Sequence, residues 1–360
     1  MDAEWIDQPD ALDRWAARRR GAPLLMDTEF VRERTFYPQL GLAQIASDGA
    51  VALVDPLPDG TVPALADLLQ HSPRVTMHSA SEDLEALRHA CGHVPTTLFD
   101  TQIAATLAGI GGGLSYQRLI EATLDVSLDK SETRTDWLRR PLSAAQLRYA
   151  ADDVRYLGEA EVVLVERLRA LGRLSWAEED SARLLQTAGA DDIDPWPHLS
   201  FRPAQRMNRS AQVRLWRLLR WREAQARRSD RPRGWVLDNV LAQRLAERPP
   251  ARQADFERLL DATPKAPRSQ RDVLWQHLTG PLTDTEQTMP LARAFEGADK
   301  DRLKAAQQAV AGVAAKLDLP DTALASRRQL EALLAEGQWP DALGGWRRPL
   351  LEPALAALLD

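Results

Sequence analysis

Residues 24–46 read LLMDTEFVRERTFYPQLGLAQIA, and the fold turns on how this stretch is taken. Leu24-Leu25-Met26 begins like a buried strand, meets Asp27-Thr28-Glu29, and soon returns to apolar residues. On a strand, residues two apart share a face, so Asp27 and Glu29 project together. Two carboxylates that close raise each other's pKa and cost desolvation energy unless protons or cations neutralise them. A strand running out into solvent would carry the same trio without any chemistry, and the spacing alone leaves both readings open.

Working outward, residues 23–29 form the first expected strand, 40–46 the second and 51–54 the third, with Ser47-Asp48-Gly49 as a hairpin turn. The pattern then alternates. Helices are expected over 63–69, 81–90, 101–108 and 115–123, with short strands at 74–78 and 96–99. Ser81 stands where an N-cap is expected, and Pro141 and Ser143 open a helical region reaching about residue 171. An antiparallel meander followed by alternating helices and strands predicts an α/β domain with a mixed sheet. The acidic, proline-broken stretch 191–197 marks its end. Amphipathic helices follow at 211–228 and 237–246, then, after the proline-rich 261–267 and Gly280-Pro281, further helices at 303–317, 326–334 and 350–359. The expected domains are therefore 1–190, 201–285 and 295–360, the last two small and all-helical.

A length of 360 residues suits two or three such domains, and 44% hydrophobic with 27% charged residues is a globular composition. No run of eighteen apolar residues suggests a membrane span, and Asp2, Glu4 and Asp7 do not suit a secretory signal. A single cysteine, Cys91, excludes an intrachain disulfide and a cysteine-rich zinc site, and fits a reducing cytosol. The formal charge of −6 hides a segregation: residues 201–250 hold thirteen arginines against four acids, so this segment carries +9 and the rest −15. Local fields steer polyanions, so the regional charge favours nucleic acid.

Two further acids bear on the first pair. Asp83 lies in SASEDLEAL, at a strand–helix junction, where an acid also simply complements the helix dipole. Asp153 follows Tyr149 by four residues, one turn along the same helix face, where a surface acid beside a packed ring is the plainer reading. Taken together, four carboxylates suit hard divalent cations, Mg²⁺ or Mn²⁺. Two such ions about 4 Å apart serve phosphodiester hydrolysis.

The segments MDTEF (26–30), SEDLE (81–85) and YAADDVRYL (149–157) resemble the three motifs of DEDD 3'→5' exonucleases, in the branch with tyrosine in the third motif. DTEFVRERTFYPQLGLAQIA, LFDTQIAA, LSYQRLIE and LDKSETRTDWLRRPLS are similar to the bacterial ribonuclease D family. The resemblance implies an RNase H-like exonuclease fold over roughly residues 1–170, then two helicase-and-RNase-D C-terminal (HRDC) domains. It implies that Asp27, Glu29, Asp83 and Asp153 bind two divalent ions, Mg²⁺ or Mn²⁺, with Asp27 shared between them. Tyr149 would orient the attacking water, while His78, Asp100 and Asp152 stay outside the metal set.

The implied activity is cytoplasmic, metal-dependent 3'→5' hydrolysis of RNA to nucleoside 5'-monophosphates, trimming tRNA precursors and other structured RNAs. Its partner is RNA with a free 3' end; no membrane and no obligate protein partner are expected. The rival readings are a 3'→5' DNA exonuclease and a non-catalytic RNA-binding scaffold. For substrate grip the candidates are Thr28, Phe30, Phe36, Tyr37, Gln39, Lys130, Arg134 and Arg140, then Arg214, Arg217, Arg220, Arg228, Arg231 and Arg233 around Trp235, with Arg327, Arg328, Arg347 and Arg348 in the last segment. Trp346 is expected to secure the last domain rather than to meet RNA.

Overall fold

A computed structural model describes residues 3–128, 135–190 and 193–359. Lys130, Arg134 and the first two residues of the 191–197 boundary lie outside the described residues. The first elements are β1 (Glu4–Ile6), α1 (Pro9–Ala17), β2 (Leu24–Val31), β3 (Gln39–Ser47), β4 (Ala50–Val54), α2 (Thr61–His71), β5 (Val75–Met77) and α3 (Ser81–Cys91). There follow β6 (Leu98–Asp100), α4 (Thr101–Leu107), α5 (Tyr116–Leu124), α6 (Ala144–Arg155), α7 (Leu157–Ala170) and α8 (Leu174–Gly189).

The strands form one sheet in the order β1-β4-β3-β2-β5-β6. β2, β3 and β4 are antiparallel, and β1, β5 and β6 join in parallel, which makes the sheet mixed as expected. Asp48 and Gly49 both take positive φ in the β3–β4 hairpin, the conformation that matches strand twist in a two-residue loop. Alternation sorts the side chains. Leu24, Met26, Ala43, Ile45, Ala52 and Val54 belong to a core completed by Leu12 and Trp15 of α1, Leu65 and Leu69 of α2, and Leu84 and Leu87 of α3. Leu42 and Leu53 point the other way, into a smaller core with Trp137, Leu142 and Ala150–Ala151 of α6. Asp27 and Glu29 are on this second side, since they pair with Gln44 and Leu42 of β3.

Several local expectations change. β1 and α1 escape the sequence reading because three residues show no period, although Pro9 occupies the first helical turn where its missing N–H costs nothing. Ser81 is not the cap of α3: that place falls to Ala80, and no side chain caps the helix. Ser143 does cap α6, in a reciprocal capping box with Gln146. The long helical region after it divides at Tyr156, so α6 and α7 are separate helices.

The chain forms two compact units, Met1–Val31 with Pro38–Asp191 and Glu296–Asp360, and Arg32–Tyr37 with Asp192–Phe295. In the first, the C-terminal helices Gly297–Leu317, Arg327–Glu336 and Arg348–Leu359 pack with the sheet-bearing part. Trp346 stacks flat on Trp176 of α8, with ring centroids 4.4 Å apart and planes 4° from parallel. Asp180 of α8 accepts from both Arg347 guanidinium nitrogens at 2.5 and 2.7 Å and from the Trp346 indole at 3.2 Å. Trp346 thus has the securing role expected of it.

The second unit is built on α9 (Arg209–Ser229), whose Leu215, Leu218 and Leu219 pack with Leu241, Phe256, Leu260 and Leu274. Here the arginine surplus is partly structural. Arg217 is buried, paired with Glu286 through two bonds of 2.5 and 2.6 Å, and donates to the carbonyls of His277, Gly280 and Pro281. Arg214 donates to the Ala246 carbonyl, and Arg227 and Arg233 both pair with Glu223. The 32–37 excursion between β2 and β3 folds with this unit. Asp230 accepts from the backbone N–H of Phe36 at 2.9 Å and of Tyr37 at 3.0 Å, and the Phe36 ring lies under the guanidinium groups of Arg32, Arg227 and Arg233. Phe36 is a buried anchor rather than a free stacking surface.

Candidate active site

β2 supplies Asp27 and Glu29, the first turn of α3 supplies Asp83, and α6 supplies Tyr149 and Asp153 one turn apart. α3 and α6 both pack against β2, and the carboxyls these elements carry feel one another's charge. Burial first, then the Asp83, Asp153 and Glu29 carboxylates, hold the Asp27 carboxyl well above the usual carboxylate range. Burial first, then Asp153 and Asp83, push Glu29 up to about 8. Asp83 rises to about 6 through burial, against the pull of its bonds from the Thr28 hydroxyl and backbone. Asp153 rises to about 7, again mainly through burial, against the hydrogen bond that the Tyr149 hydroxyl donates to it. The Tyr149 phenol is raised by burial and then by Asp153, Glu29 and Asp27, so it remains protonated at neutral pH.

Thr28 faces away from its two acidic neighbours, and its hydroxyl donates to Asp83 Oδ1 at 2.5 Å. It is a buried tether for Asp83, its hydroxyl already engaged. Arg140 likewise leaves the phosphate-binding candidates. Its Nε and Nη2 grip the two Asp55 oxygens at 2.7 Å each, while Nη2 and Nη1 donate to the carbonyls of Gly41 and Trp137. The clamp holds the segment before α6 against β3, where Gly41 is needed: a Cβ there would meet the Trp137 carbonyl at 2.8 Å. Sequence reading had no signal for either tether beyond residue type.

The three residues held back from the metal set are otherwise engaged. Asp100 accepts from the N–H groups of Ser79, Ala80, Gln102 and Ile103, which caps α4 and fixes the turn before α3. His78 lies 3.0 Å from the Thr101 hydroxyl by Nδ1 and 3.0 Å from the Leu114 carbonyl by Nε2. Asp152 pairs with Arg155 at 2.9 Å. The Tyr116 hydroxyl donates to the Asp152 carbonyl at 3.1 Å and so steadies α6 from behind.

Four buried or half-buried carboxyls, with Asp27 and Glu29 raised in part by the others, have the hard, oxygen-only donor chemistry that divalent cations prefer. They share a field rather than a closed cage: among the described residues no group of three or more His, Cys, Asp or Glu side chains is already set to hold a metal ion. Cations would offset the burial and the repulsion that raise these carboxyls, so the donor set fits them.

Residues 3–169 match the 3'-5' exonuclease family. A ribonuclease D from Xanthomonas oryzae is 50% identical over 360 residues, spanning 99% of this chain and 98% of that protein. One from Pseudomonas paraeruginosa is 33% identical, spanning 100% and 98%. Among solved structures, Escherichia coli RNase D, described as an exoribonuclease involved in structured RNA processing, is similar with a TM-score of 0.85 and 30% identity. That similarity covers 100% of this chain and 99% of the other.

Proposed function

The chain belongs to the ribonuclease D family, and on that premise we propose that it removes nucleoside 5'-monophosphates one at a time from the 3' ends of tRNA precursors and other structured RNAs. It is a metal-dependent 3'→5' exoribonuclease, and two Mg²⁺ or Mn²⁺ ions complete its site. Support for the site comes above all from one observation: acids from a strand and two helices share one buried field. Asp27, Glu29, Asp83 and Asp153 would hold the ions. Bound there, divalent cations would supply the chemistry that makes water nucleophilic near neutral pH and offsets charge on the departing oxygen. Tyr149 keeps its proton, holds Asp153 through its hydroxyl and orients the attacking water. Thr28 fixes Asp83, and Arg140 with Asp55 fixes the approach to α6.

We read the chain as an exonuclease domain over 1–190 and HRDC-like domains over 201–285 and 295–360, acting in the cytoplasm. Among the described residues, no helix is long and apolar enough to cross a membrane. For RNA grip, the second unit offers a cleft of about 730 Å³ lined by Trp221, Trp235, Arg231, Lys265 and Arg268. Trp235 is 48% exposed, and its indole can stack on a base. Arg231 and Lys265 can meet phosphate, a contact that holds RNA without reading its sequence.

The test is a product-resolved time course on end-labelled RNA and on DNA of the same sequence, with Mg²⁺ or Mn²⁺ and with Asp27→Ala as control. Stepwise release of nucleoside monophosphates from RNA, lost in Asp27→Ala, is expected. Persistent full-length RNA would refute the reading, and faster loss of DNA would overturn the substrate assignment.

A further inference from the structure

Gln44 is fully buried in β3, and neither its amide nitrogen nor its amide oxygen has a hydrogen-bond partner among the described residues. It is directly opposite Asp27 in the β2–β3 ladder and opposite Leu53 in the β3–β4 ladder. Directly paired residues share a face of an antiparallel sheet, so Gln44 is beside Asp27 on the side covered by α6. Its sheet neighbours on that face, Leu42 and Leu53, pack with Trp137, Ala150 and Ala151.

An orphaned carboxamide is a poor way to fill such a place. Burying it without partners costs stability, while Leu or Met would pack the same volume at no such cost. An amide has one use here that those residues lack: it can donate to a neighbouring carboxylate without adding positive charge. A lysine would pair with Asp27 more strongly but would compete with a cation for it. Carboxylates that bind metals are commonly held in orientation by hydrogen bonds from outer-shell partners.

We propose that Gln44 is a positioning residue for Asp27: its amide N–H, unpaired in this structure, is the donor that would hold the carboxylate in orientation when divalent cations are bound. The proposal rests on the reading of Asp27 as a metal-binding residue, and its test separates the two. Mn²⁺ binding to the full-length protein is measured by titration calorimetry for wild type, Asp27→Asn and Gln44→Met, alongside thermal melts in chelator. Gln44→Met should bind Mn²⁺ about 10- to 100-fold more weakly, with a metal-free melting midpoint equal to or above that of wild type.

A packing role alone makes the opposite forecast, a lower midpoint with unchanged Mn²⁺ affinity, and that result would overturn the inference. Wild-type protein that binds no Mn²⁺ would overturn the metal reading and this inference together. Wild type that binds, with Gln44→Met binding equally well, would overturn this inference alone. Should Gln44→Met fail to fold, Gln44→Leu carries the same comparison, and failure of both would show that the core itself needs the amide and so overturn the proposal.

Discussion

Thr28 reaches from β2 to Asp83 of α3 with a 2.5 Å hydrogen bond, so the middle residue of the DTE trio holds in place an acid 55 positions further along the chain. Replacing it by valine keeps the shape and removes the donor. Thr28→Val should lower turnover about 10- to 100-fold, the usual effect of losing a partner that orients a ligand. RNA affinity should stay unchanged in a filter-binding assay. Turnover within twofold of wild type would show that Asp83 is held by the helix alone.

Stability should depend on pH in a way that divalent cations reverse. Glu29, Asp83 and Asp153 have folded pKa values raised to about 8, 6 and 7, above their unfolded values. Such groups favour the folded state at low pH, and the advantage is lost as pH rises from about 4, the unfolded value, through the raised ones. In chelator the melting midpoint should therefore fall between pH 5 and pH 8, and Mn²⁺ should restore more at pH 8 than at pH 5. An equal Mn²⁺ effect at both pH values would contradict the shared field.

Tyr149→Phe keeps the ring and removes the hydroxyl that donates to Asp153. Turnover should fall by about 10²-fold or more, on the scale of a lost positioning group in a catalytic step, with Mn²⁺ affinity changed less than threefold. The wild-type pH–rate profile should lack an alkaline limb below about pH 10, the reference value of an unperturbed phenol, because the buried phenol ionises higher still. A limb near pH 8 that vanishes in Tyr149→Phe would assign the phenol a proton-transfer role instead.

The Arg217–Glu286 pair should contribute to the stability of the second unit. Arg217 holds Glu286 down at about 2, so this contribution is present above the unfolded value and is lost as pH falls through about 4 towards 2. Arg217→Ala leaves a buried carboxylate unpaired and should cost about 3–5 kcal/mol. Glu286→Gln should cost less, because the guanidinium keeps the His277, Gly280 and Pro281 carbonyls. Chemical denaturation followed by circular dichroism would rank the two variants, and the reverse order would contradict this account.

On the second unit's cleft, Trp235→Ala should weaken RNA binding by about 1–3 kcal/mol with little change in salt dependence, as loss of a stacked base requires. Arg231→Ala should instead reduce the slope of log affinity against log salt by about one phosphate contact. Unchanged affinity in both variants would move the RNA path elsewhere.

What the sequence reveals depends on how local the physics is. The β2–β3–β4 meander is legible because alternation and the Ser47-Asp48-Gly49 turn act over neighbouring residues. The same holds for the capping box at Ser143 and the Tyr149–Asp153 spacing. Side-chain direction across long separations is not legible. Nothing in DTE says that Thr28 serves Asp83, or that Arg140 closes on Asp55 85 positions away. Arginine count cannot distinguish buried Arg217 from Arg231 in the cleft, because both occupy the same charge-rich segment. The four acids were recoverable as residues, whereas their shared field needed the fold.

The anchoring of Phe36 and Tyr37 by Asp230 makes the two units interlaced along the chain rather than strung in series. A shortened protein ending near residue 190 would retain the 32–37 excursion but lose Asp230 and the Arg227 and Arg233 guanidinium groups over Phe36. The link between the strand bearing Asp27 and the strand bearing Gln44 would then be left untethered. Truncation at that point would therefore disturb the sheet-bearing half itself, and an isolated N-terminal fragment would be a poor proxy for the intact chain.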